Sequence, residues 1–132
     1  MTLYMDLSSF KEVFLMTRVN TGSGTITISK PVYTTIAGMA ATNCFGVKGM
    51  AARSMKDGLV HLLRKENMGK GVHVTVNEDN TISIDLHIMV DHGINLSAIG
   101  NSIIEQVRYI VQTMTGTTVK LVNVMVDSML LD

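Results

Sequence analysis

The chain has 132 residues, of which 46% are hydrophobic and 17% are charged, and this composition indicates a folded globular domain rather than a disordered chain. Eleven basic and eleven acidic residues give a formal net charge of +0, which argues against a general binder of polyanions. A single cysteine excludes a disulfide within the chain and fits a reducing compartment. There is no apolar run of roughly 18 residues to span a bilayer and no secretory-signal pattern, so a cytoplasmic protein is expected.

The residues before Gly24 carry the weakest structural signal, with loop chemistry from Asn20 to Gly24. We expect residues 1–23 to be an N-terminal extension, free to move, and residues 24–132 to form a single domain. Met16 is a candidate start of the natural chain.

A strand over residues 25–28 and a helix capped by Ser29 open the predicted domain. Pro31 is tolerated in the first turn of this helix because amides there lack intrahelical partners, and the helix is expected to end near Cys44. A shorter helical piece is predicted over residues 59–66, with its leucines facing inward.

The sequence Gly46-Val47-Lys48-Gly49 lies between these two helical segments and has a G-x-x-G pattern with a basic residue. In KH domains such a loop clamps the backbone of single-stranded RNA. The pattern is short and the net charge is zero, so we favour a turn in which glycine supplies positive φ. A KH-like binder of single-stranded nucleic acid is the alternative function.

The clearest pattern is a β-hairpin over residues 72–90. Apolar side chains at every second position predict one buried face and one open face. The turn is Glu78-Asp79-Asn80, and Asn80 can take the left-handed conformation that such a turn requires. The predicted register pairs Asn77 with Thr81, Val74 with Ile84 and His73 with Asp85.

His73, Asp85 and His87 are expected to share the open face of this hairpin, and two histidines with a carboxylate are a plausible zinc set. Neighbouring positions on a flat sheet rarely converge as tightly as a metal requires, and no fourth ligand is evident. We therefore favour an exposed cross-strand pair between His73 and Asp85. No metal site, cofactor or catalytic residue is predicted.

The strongest predicted helix begins after the N-cap Asn95 and ends at Gly116. Its buried stripe consists of Leu96, Ile99, Ile103, Val107, Ile110 and Met114. The strand that follows, over residues 117–127, has Val119, Leu121 and Met125 on one side and Val122, Val124 and Val126 on the other. Such a strand is central in its sheet, or its second face is covered by another subunit. Self-association through this strand and the apolar C-terminal tail is predicted.

Two other candidate sites are given structural roles. Asp91-His92-Gly93 lies near a helix N-terminus, which can bind an anion, but it lacks a glycine-rich cradle and a turn is favoured. Cys44 has no histidine nearby in sequence, so a structural thiol is favoured over a nucleophile.

The zero net charge hides an asymmetry along the chain. Residues 48–70 hold six basic and two acidic side chains, whereas residues 71–107 hold five acidic side chains and no lysine or arginine. These are either two solvated faces or a basic patch that docks on the acidic face of a neighbouring copy.

Short motifs follow one another in order along residues 24–127. They are Thr25-Ile26-Thr27-Ile28-Ser29, Ile36-Ala37-Gly38, Gly46-Val47-Lys48-Gly49-Met50, Lys70-Gly71-Val72, Ile84-Asp85-Leu86-His87-Ile88, Gly93-Ile94-Asn95, Met114-Thr115-Gly116 and Val122-Asn123-Val124. The ordered set resembles the alkaline shock protein family, also called envelope stress response proteins, of Gram-positive bacteria. His92 stands where that family often has an aromatic residue.

The resemblance implies a non-enzymatic, abundant cytoplasmic protein that self-associates, serves envelope or alkaline stress tolerance and attaches to the membrane through a partner protein. It brings no catalytic, cofactor-binding or metal-binding residues. The expected fold is α+β, a two-layer sandwich in which two main helices cover one face of a small mixed sheet. The expected order is β-α-(α)-β-β-α-β.

Overall fold

The computed structural model describes residues 16–53 and 58–131, which contain two α-helices and seven β-strands. In chain order they are β1 (Met16–Thr21), β2 (Gly24–Ser29), α1 (Lys30–Thr42), β3 (Val47–Arg53), β4 (Val60–Leu62), a 3₁₀ segment (Lys65–Gly71), β5 (Val72–Val76), β6 (Ile82–Asp91), α2 (Leu96–Thr115) and β7 (Val119–Leu130). The α+β class is as expected from the sequence.

Strand β6 organises the main sheet. The first half of β6 pairs antiparallel with β5 and the second half pairs antiparallel with β3. Strand β7 lies parallel to β6 along its whole length, on the side opposite β3 and β5, and β4 extends the sheet beyond β3. The sheet is therefore mixed, and α2 is the crossover that a parallel β6–β7 pair requires.

The hydrophobic core lies between this sheet and the two helices. Alternate side chains of β6 are fully buried: Ile82, Ile84, Leu86, Ile88 and Val90. They form one cluster with the buried stripe of α2 (Ile99, Ile103, Val107 and Val111) and with the small and aromatic side chains of α1 (Tyr33, Ile36, Ala37, Ala40 and Ala41). Burying a large aliphatic side chain contributes roughly 1.5–3 kcal/mol, so this cluster stabilises the predicted two-layer arrangement.

The hairpin and the two ends of the long helix are confirmed in detail. The predicted buried stripe of this helix is right at Ile99, Ile103 and Val107, but Leu96 and Met114 are exposed and Val111 is buried instead. The Asn77 amide donates to the Thr81 carbonyl at 2.8 Å, and Asn80 has a φ of 66° in the turn. Val74 pairs with Ile84 and His73 with Asp85, as predicted. At α2, the Asn95 side chain accepts a hydrogen bond from the Ala98 amide, and Gly116 ends the helix with a φ of 73°.

The prediction for the segment after α1 is wrong. Instead of a loop and a second helix, the chain forms β3 and β4, and only then the 3₁₀ segment. The leucines over residues 59–66 fit a helical stripe, but Leu62 pairs with Ala51 of β3 and the Leu63 amide donates to the Met50 carbonyl at 2.8 Å. Pairing with β3 outweighs this weak local preference for helix.

The N-terminal boundary also differs from the prediction, because Met16–Thr21, placed in the extension, forms a strand antiparallel to β2. The Tyr33 hydroxyl, fully buried on α1, bonds to the Thr17 hydroxyl of β1 and, at 2.6 Å, to the Thr117 hydroxyl before β7. The Asn80 side chain accepts from the Arg18 amide and donates to the Arg18 carbonyl. The rest of the predicted extension, residues 1–15, lies outside the described residues.

Candidate functional site: strand β7 and the open face of the sheet

Strand β7 forms one edge of the main sheet. It pairs with β6 on one side, and no strand among residues 16–53 and 58–131 pairs with its other side. An edge strand of twelve residues presents a row of backbone amide and carbonyl groups that another strand can pair with. The prediction of a central strand is therefore wrong, and cover by another subunit stays a prediction.

Two register shifts decide which side chains of β7 face the helices. At the first shift, Ile82 pairs with Val119 and the next residue of β6 pairs with Leu121, so Lys120 is skipped. At the second shift, Ile88 pairs with Val126 and the next residue of β6 pairs with Ser128, so Asp127 is skipped. Each shift inserts one residue into β7 and so reverses the alternation of its side chains. Between the shifts, paired residues share a face, so the even-numbered positions 122–126 face the helices and the odd-numbered positions 121–125 lie on the open face. Asp127, the residue inserted at the second shift, contacts His87 on the open face.

The first shift corrects the predicted face of Val119. The sequence alternation groups it with Leu121 and Met125, but Val119 is buried on the helix-covered face together with Val122. Lys120 is the inserted residue and is exposed.

Apolar side chains remain exposed along this edge, on both faces of the strand. Leu121 is 52% exposed on the open face, and Val126 is 39% exposed beside the helices. Met129 and Leu131, further along the chain, are 37% and 80% exposed. A row of this kind is typical of a surface that another protein covers.

The open face next to β7 carries polar contacts between strands. His87 Nδ1 lies 2.9 Å from Asp127 Oδ2, and the Asn123 amide donates to Asp85 Oδ1 at 2.8 Å. The His73 and His87 rings meet edge to face with centroids 5.4 Å apart. These contacts tie β5, β6 and β7 together across the sheet.

The three residues considered as a zinc set, His73, Asp85 and His87, do share this face. However, the carboxylate of Asp85 bonds to Asn123, and no group of three potential ligands in the described part of the chain is placed to hold a metal ion. The favoured His73–Asp85 pair exists as a register pair.

Cys44 is buried, with 5% of its surface exposed, just after α1. Its thiol lies 3.3 Å from the Ala40 carbonyl oxygen and 3.1 Å from Gln106 Oε1 of α2. Burial raises the pKa of the Cys44 thiol, which keeps it protonated and a weak nucleophile. This is the geometry of a structural thiol.

Asp91-His92-Gly93 forms the turn before α2. The Asp91 amide donates to the Gly46 carbonyl at 3.1 Å, and Gly93 has a φ of 78°. The backbone of this turn is thus held against the α1–β3 connection, and His92 is exposed to solvent.

The KH-like interpretation fails on geometry. Gly46 has a positive φ of 86°, as predicted, but the residues after it enter β3 instead of a second helix. The connection therefore joins a helix to a strand, and Lys48 is the extra residue in the register shift between β3 and β6. The clamp that a KH domain forms between two helices is absent from this connection.

An apolar groove that sequence reasoning missed lies between the end of α1 and the strands β3 and β4. It encloses about 490 Å³, and its lining includes the side chains of Met39, Met50, Leu62, Leu63 and Met68. Gly49 forms part of its wall. A Cβ at this position would come within 2.8 Å of Leu62 Cδ1, so a larger side chain would displace Leu62. Its methionines come from three separate elements, so no local pattern in the sequence marks it.

Comparison with known proteins assigns the chain to a family. Residues 18–131 match the model of the alkaline shock protein 23 family, which has a cell envelope-related function. The chain belongs to this family. The match confirms the resemblance to alkaline shock and envelope stress proteins, and it includes residues of β1 that the resemblance left out.

Similar proteins occur in Gram-positive bacteria. The uncharacterized protein YloU of Bacillus subtilis (strain 168) is 39% identical over 110 residues, which are 83% of this chain and 91% of YloU. The uncharacterized protein Spy1614 of Streptococcus pyogenes serotype M6 is 39% identical over 112 residues, 84% of this chain and 92% of its own. The uncharacterized protein YqhY of Bacillus subtilis is 31% identical over 109 residues, 83% of this chain and 79% of its own. No solved structure matches the chain.

Among the described residues, neither α1 nor α2 is both long enough and apolar enough to cross a membrane.

Proposed function

We propose that this member of the alkaline shock protein family is a non-enzymatic, self-associating scaffold or adaptor at the cell envelope, and that copies bind one another through β7. The observation that carries the proposal is the backbone edge of a twelve-residue strand that no other strand of the described residues pairs with, beside exposed apolar side chains. Strand addition to such an edge supplies main-chain hydrogen bonds and lets side chains on both faces add specificity.

The sequence of β7 lacks the usual protection of an isolated edge. Monomeric proteins place charged side chains or proline on exposed edge strands to prevent pairing with other chains. Residues 121–126, Leu-Val-Asn-Val-Met-Val, contain neither, and Lys120 and Asp127 flank them. A second copy that covers this segment removes the hazard and creates the assembly.

A scaffold needs at least one further contact besides β7, because a single self-complementary contact closes at a dimer. The side chains of Lys48, Arg64 and Lys70 are exposed, as are those of Glu78 and Asp91 in the acidic half of the chain. We propose that the basic segment 48–70 docks on the acidic surface of a neighbouring copy. This contact should weaken as salt screens exposed charges.

The resemblance also supports a place beneath the membrane. In such proteins, attachment through a membrane-anchored partner would bring an assembled array to the envelope without a spanning segment of its own. The proposed role therefore needs no catalytic residue and no cofactor.

Substitution of Leu121 by lysine tests the proposal. Leu121→Lys puts a charge on the exposed edge, where the side chain has room in the monomer but must be desolvated in the assembly. Self-association should weaken at least about tenfold, equivalent to about 1.4 kcal/mol. The measurement is light scattering on a sizing column over a range of protein concentrations and at two salt concentrations.

Thr75→Lys is the matched control, because Thr75 is an exposed residue of β5, on the same open face but remote from the free edge of β7. Its assemblies should keep the wild-type size. A wild-type protein that stays monomeric at every concentration would refute self-association. Assemblies that Leu121→Lys leaves unchanged, with the fold intact, would refute the role of β7.

A further inference from the structure

We propose that two copies of this chain pair their β7 strands antiparallel about a two-fold axis that passes through Asn123. This inference rests on the proposed self-association through β7 and adds to it the symmetry and the register of the contact. The occupant of the free edge is thus the same strand of a second copy.

The geometry of an edge strand limits the choices. When a strand meets itself about a two-fold axis, the two strands run antiparallel and each contact occurs twice. Paired residues share a face of the combined sheet, so the axis passes through a residue rather than between two residues, and we place it in the regular segment between the two register shifts, residues 121–126. The choice of that residue depends on which side chains become cross-strand neighbours.

An axis at Asn123 gives apolar pairs on both faces. On the open face, Leu121 lies opposite the partner's Met125, and on the helix-covered face Val122 lies opposite the partner's Val124. By symmetry each pair forms twice. Apolar side chains directly opposite one another on paired strands stabilise the pairing. The exposed Leu121 side chain is then covered.

The same register is complementary in charge. Asp127 of one copy and the exposed Lys120 of the partner lie at the same end of the paired segment, and each is the residue that a register shift inserts. Because Lys120 occupies a bulge, its side chain is not held to one face by the alternation of the strand. Each copy contributes one such lysine and one such carboxylate, and the two carboxylates lie at opposite ends of the paired segment.

Registers with the axis further along the strand are worse on the same criteria. An axis at Val124 places Leu121 opposite the partner's Asp127, which sets a carboxylate already bonded to His87 against an apolar side chain. An axis at Met125 places Leu121 opposite the partner's Met129, but the second register shift turns Met129 to the helix-covered face.

Single cysteine substitutions on the open face locate the axis. Antiparallel partners lie with Cα atoms about 4.5–5.5 Å apart, within the roughly 4.4–6.8 Å that a disulfide spans. In the proposed register only Asn123 meets its own copy, so Asn123→Cys should give a disulfide-linked dimer under mild oxidation with diamide. In a dimer of Leu121→Cys chains, or of Met125→Cys chains, the two introduced cysteines would lie about 14 Å apart along the strand and should not link.

A mixture of two variants gives a second, independent readout. Leu121→Cys chains mixed with Met125→Cys chains should form a linked heterodimer, although neither variant links to itself. The wild-type chain, whose Cys44 is buried, and Thr75→Cys report the background. Products are measured on non-reducing gels, with circular dichroism to confirm that each variant is folded.

The outcomes separate this inference from the proposed function. Strong linking of Asn123→Cys and of the mixture supports the register. Strongest linking of another single variant overturns the register but keeps β7 as the interface. No linking above background, with assemblies of unchanged size, overturns β7 pairing while self-association stands. A monomeric wild-type protein overturns both proposals.

Discussion

The buried hydroxyl of Tyr33 offers a direct test of how β1 is attached to the domain. It bonds to Thr17 of β1 and to Thr117 before β7, and all three side chains are at most 4% exposed. Tyr33→Phe removes this hydroxyl with little change in volume. Two threonine hydroxyls then lose a partner in a place that water does not reach.

The expected cost follows from the number of groups left without a partner. A buried polar group that loses its partner costs about 1–3 kcal/mol, and rotation of a threonine hydroxyl toward another acceptor recovers part of that. We expect Tyr33→Phe to lower the free energy of unfolding by about 2–3 kcal/mol. With an unfolding entropy of about 2.1 cal/mol/K per residue over roughly 115 residues, the melting temperature should fall by about 8–12 °C.

Thermal and urea unfolding at one fixed protein concentration measure this effect, because assembly would otherwise shift the apparent stability. Tyr109→Phe is the matched control, since Tyr109 is 69% exposed on α2, and it should change stability by less than about 0.5 kcal/mol. The double variant Tyr33→Phe, Thr17→Val should cost less than the sum of the single variants, because the two residues share one bond. If Tyr33→Phe behaves like the Tyr109 control, the hydroxyl cluster does not attach β1.

The remaining predictions concern backbone positions and one carboxylate. Gly71→Ala should destabilise the fold, because the new Cβ would lie 3.0–3.2 Å from backbone oxygens of β3 and β6. Gly100→Ala should raise the free energy of unfolding in urea by up to about 1 kcal/mol, because a Cβ at this position of α2 meets no neighbouring atom and alanine favours the helix. Asn80→Gly should lose the two hydrogen bonds to Arg18 of β1 and so destabilise the fold. Asn80→Ala should lower the free energy of unfolding by about 1 kcal/mol more than Asn80→Gly, because alanine is strained at a φ of 66°. The hydroxyl and the backbone amide of Thr81 donate hydrogen bonds to Asp79 and hold the pKa of that carboxyl below its usual range. The stability from these bonds is therefore fully present above the ordinary aspartate pKa, and it is lost as the pH falls through the lowered pKa of Asp79 in the folded protein. Thr81→Val should raise the pKa of Asp79 toward its usual range in an NMR titration, and an unchanged pKa would contradict this assignment.

Elements with strong local signals could be predicted from the sequence to the level of single residues. The β5–β6 hairpin combines a two-residue alternation with a turn that suits Asn80, and the register followed from these alone. The predicted cap and glycine stop of helix α2 are confirmed, and its predicted buried stripe is confirmed at Ile99, Ile103 and Val107 but not at Leu96 and Met114, which are exposed. In both cases the information lies within about twenty consecutive residues, so no distant contact has to be known.

The strands β1, β3 and β4 could not be predicted because distant partners determine them. Strand β3 contains Gly49, Ala51 and Ala52, whose small side chains give no alternation, and it is a strand because β6 lies beside it. Strand β1 gains its place from the side chains of Tyr33 and Asn80, which lie on other elements. The sequence shows no local trace of such contacts.

The candidate site illustrates the same limit more sharply. The sequence showed that the last strand is apolar on both sides, and this led to the prediction of a second protein surface. Which side chains form that surface depends on one inserted residue, Lys120, which turns Val119 toward the core and leaves Leu121 on the open face. A bulge has no reliable signature in a single sequence, so the face could be assigned only from the pairing with β6.

The apolar side chains of β7 fall into two sets, one buried in the core and one exposed to solvent. Val119 and Val122 are buried in the core, so their apolar character is explained by the fold of one chain. Leu121 is half exposed and does not belong to the hydrophobic core that the described residues form. A partner strand, as proposed above, would cover this exposed edge. In the proposed assembly, the same strand stabilises the domain with one set of residues and presents the other set to a second copy.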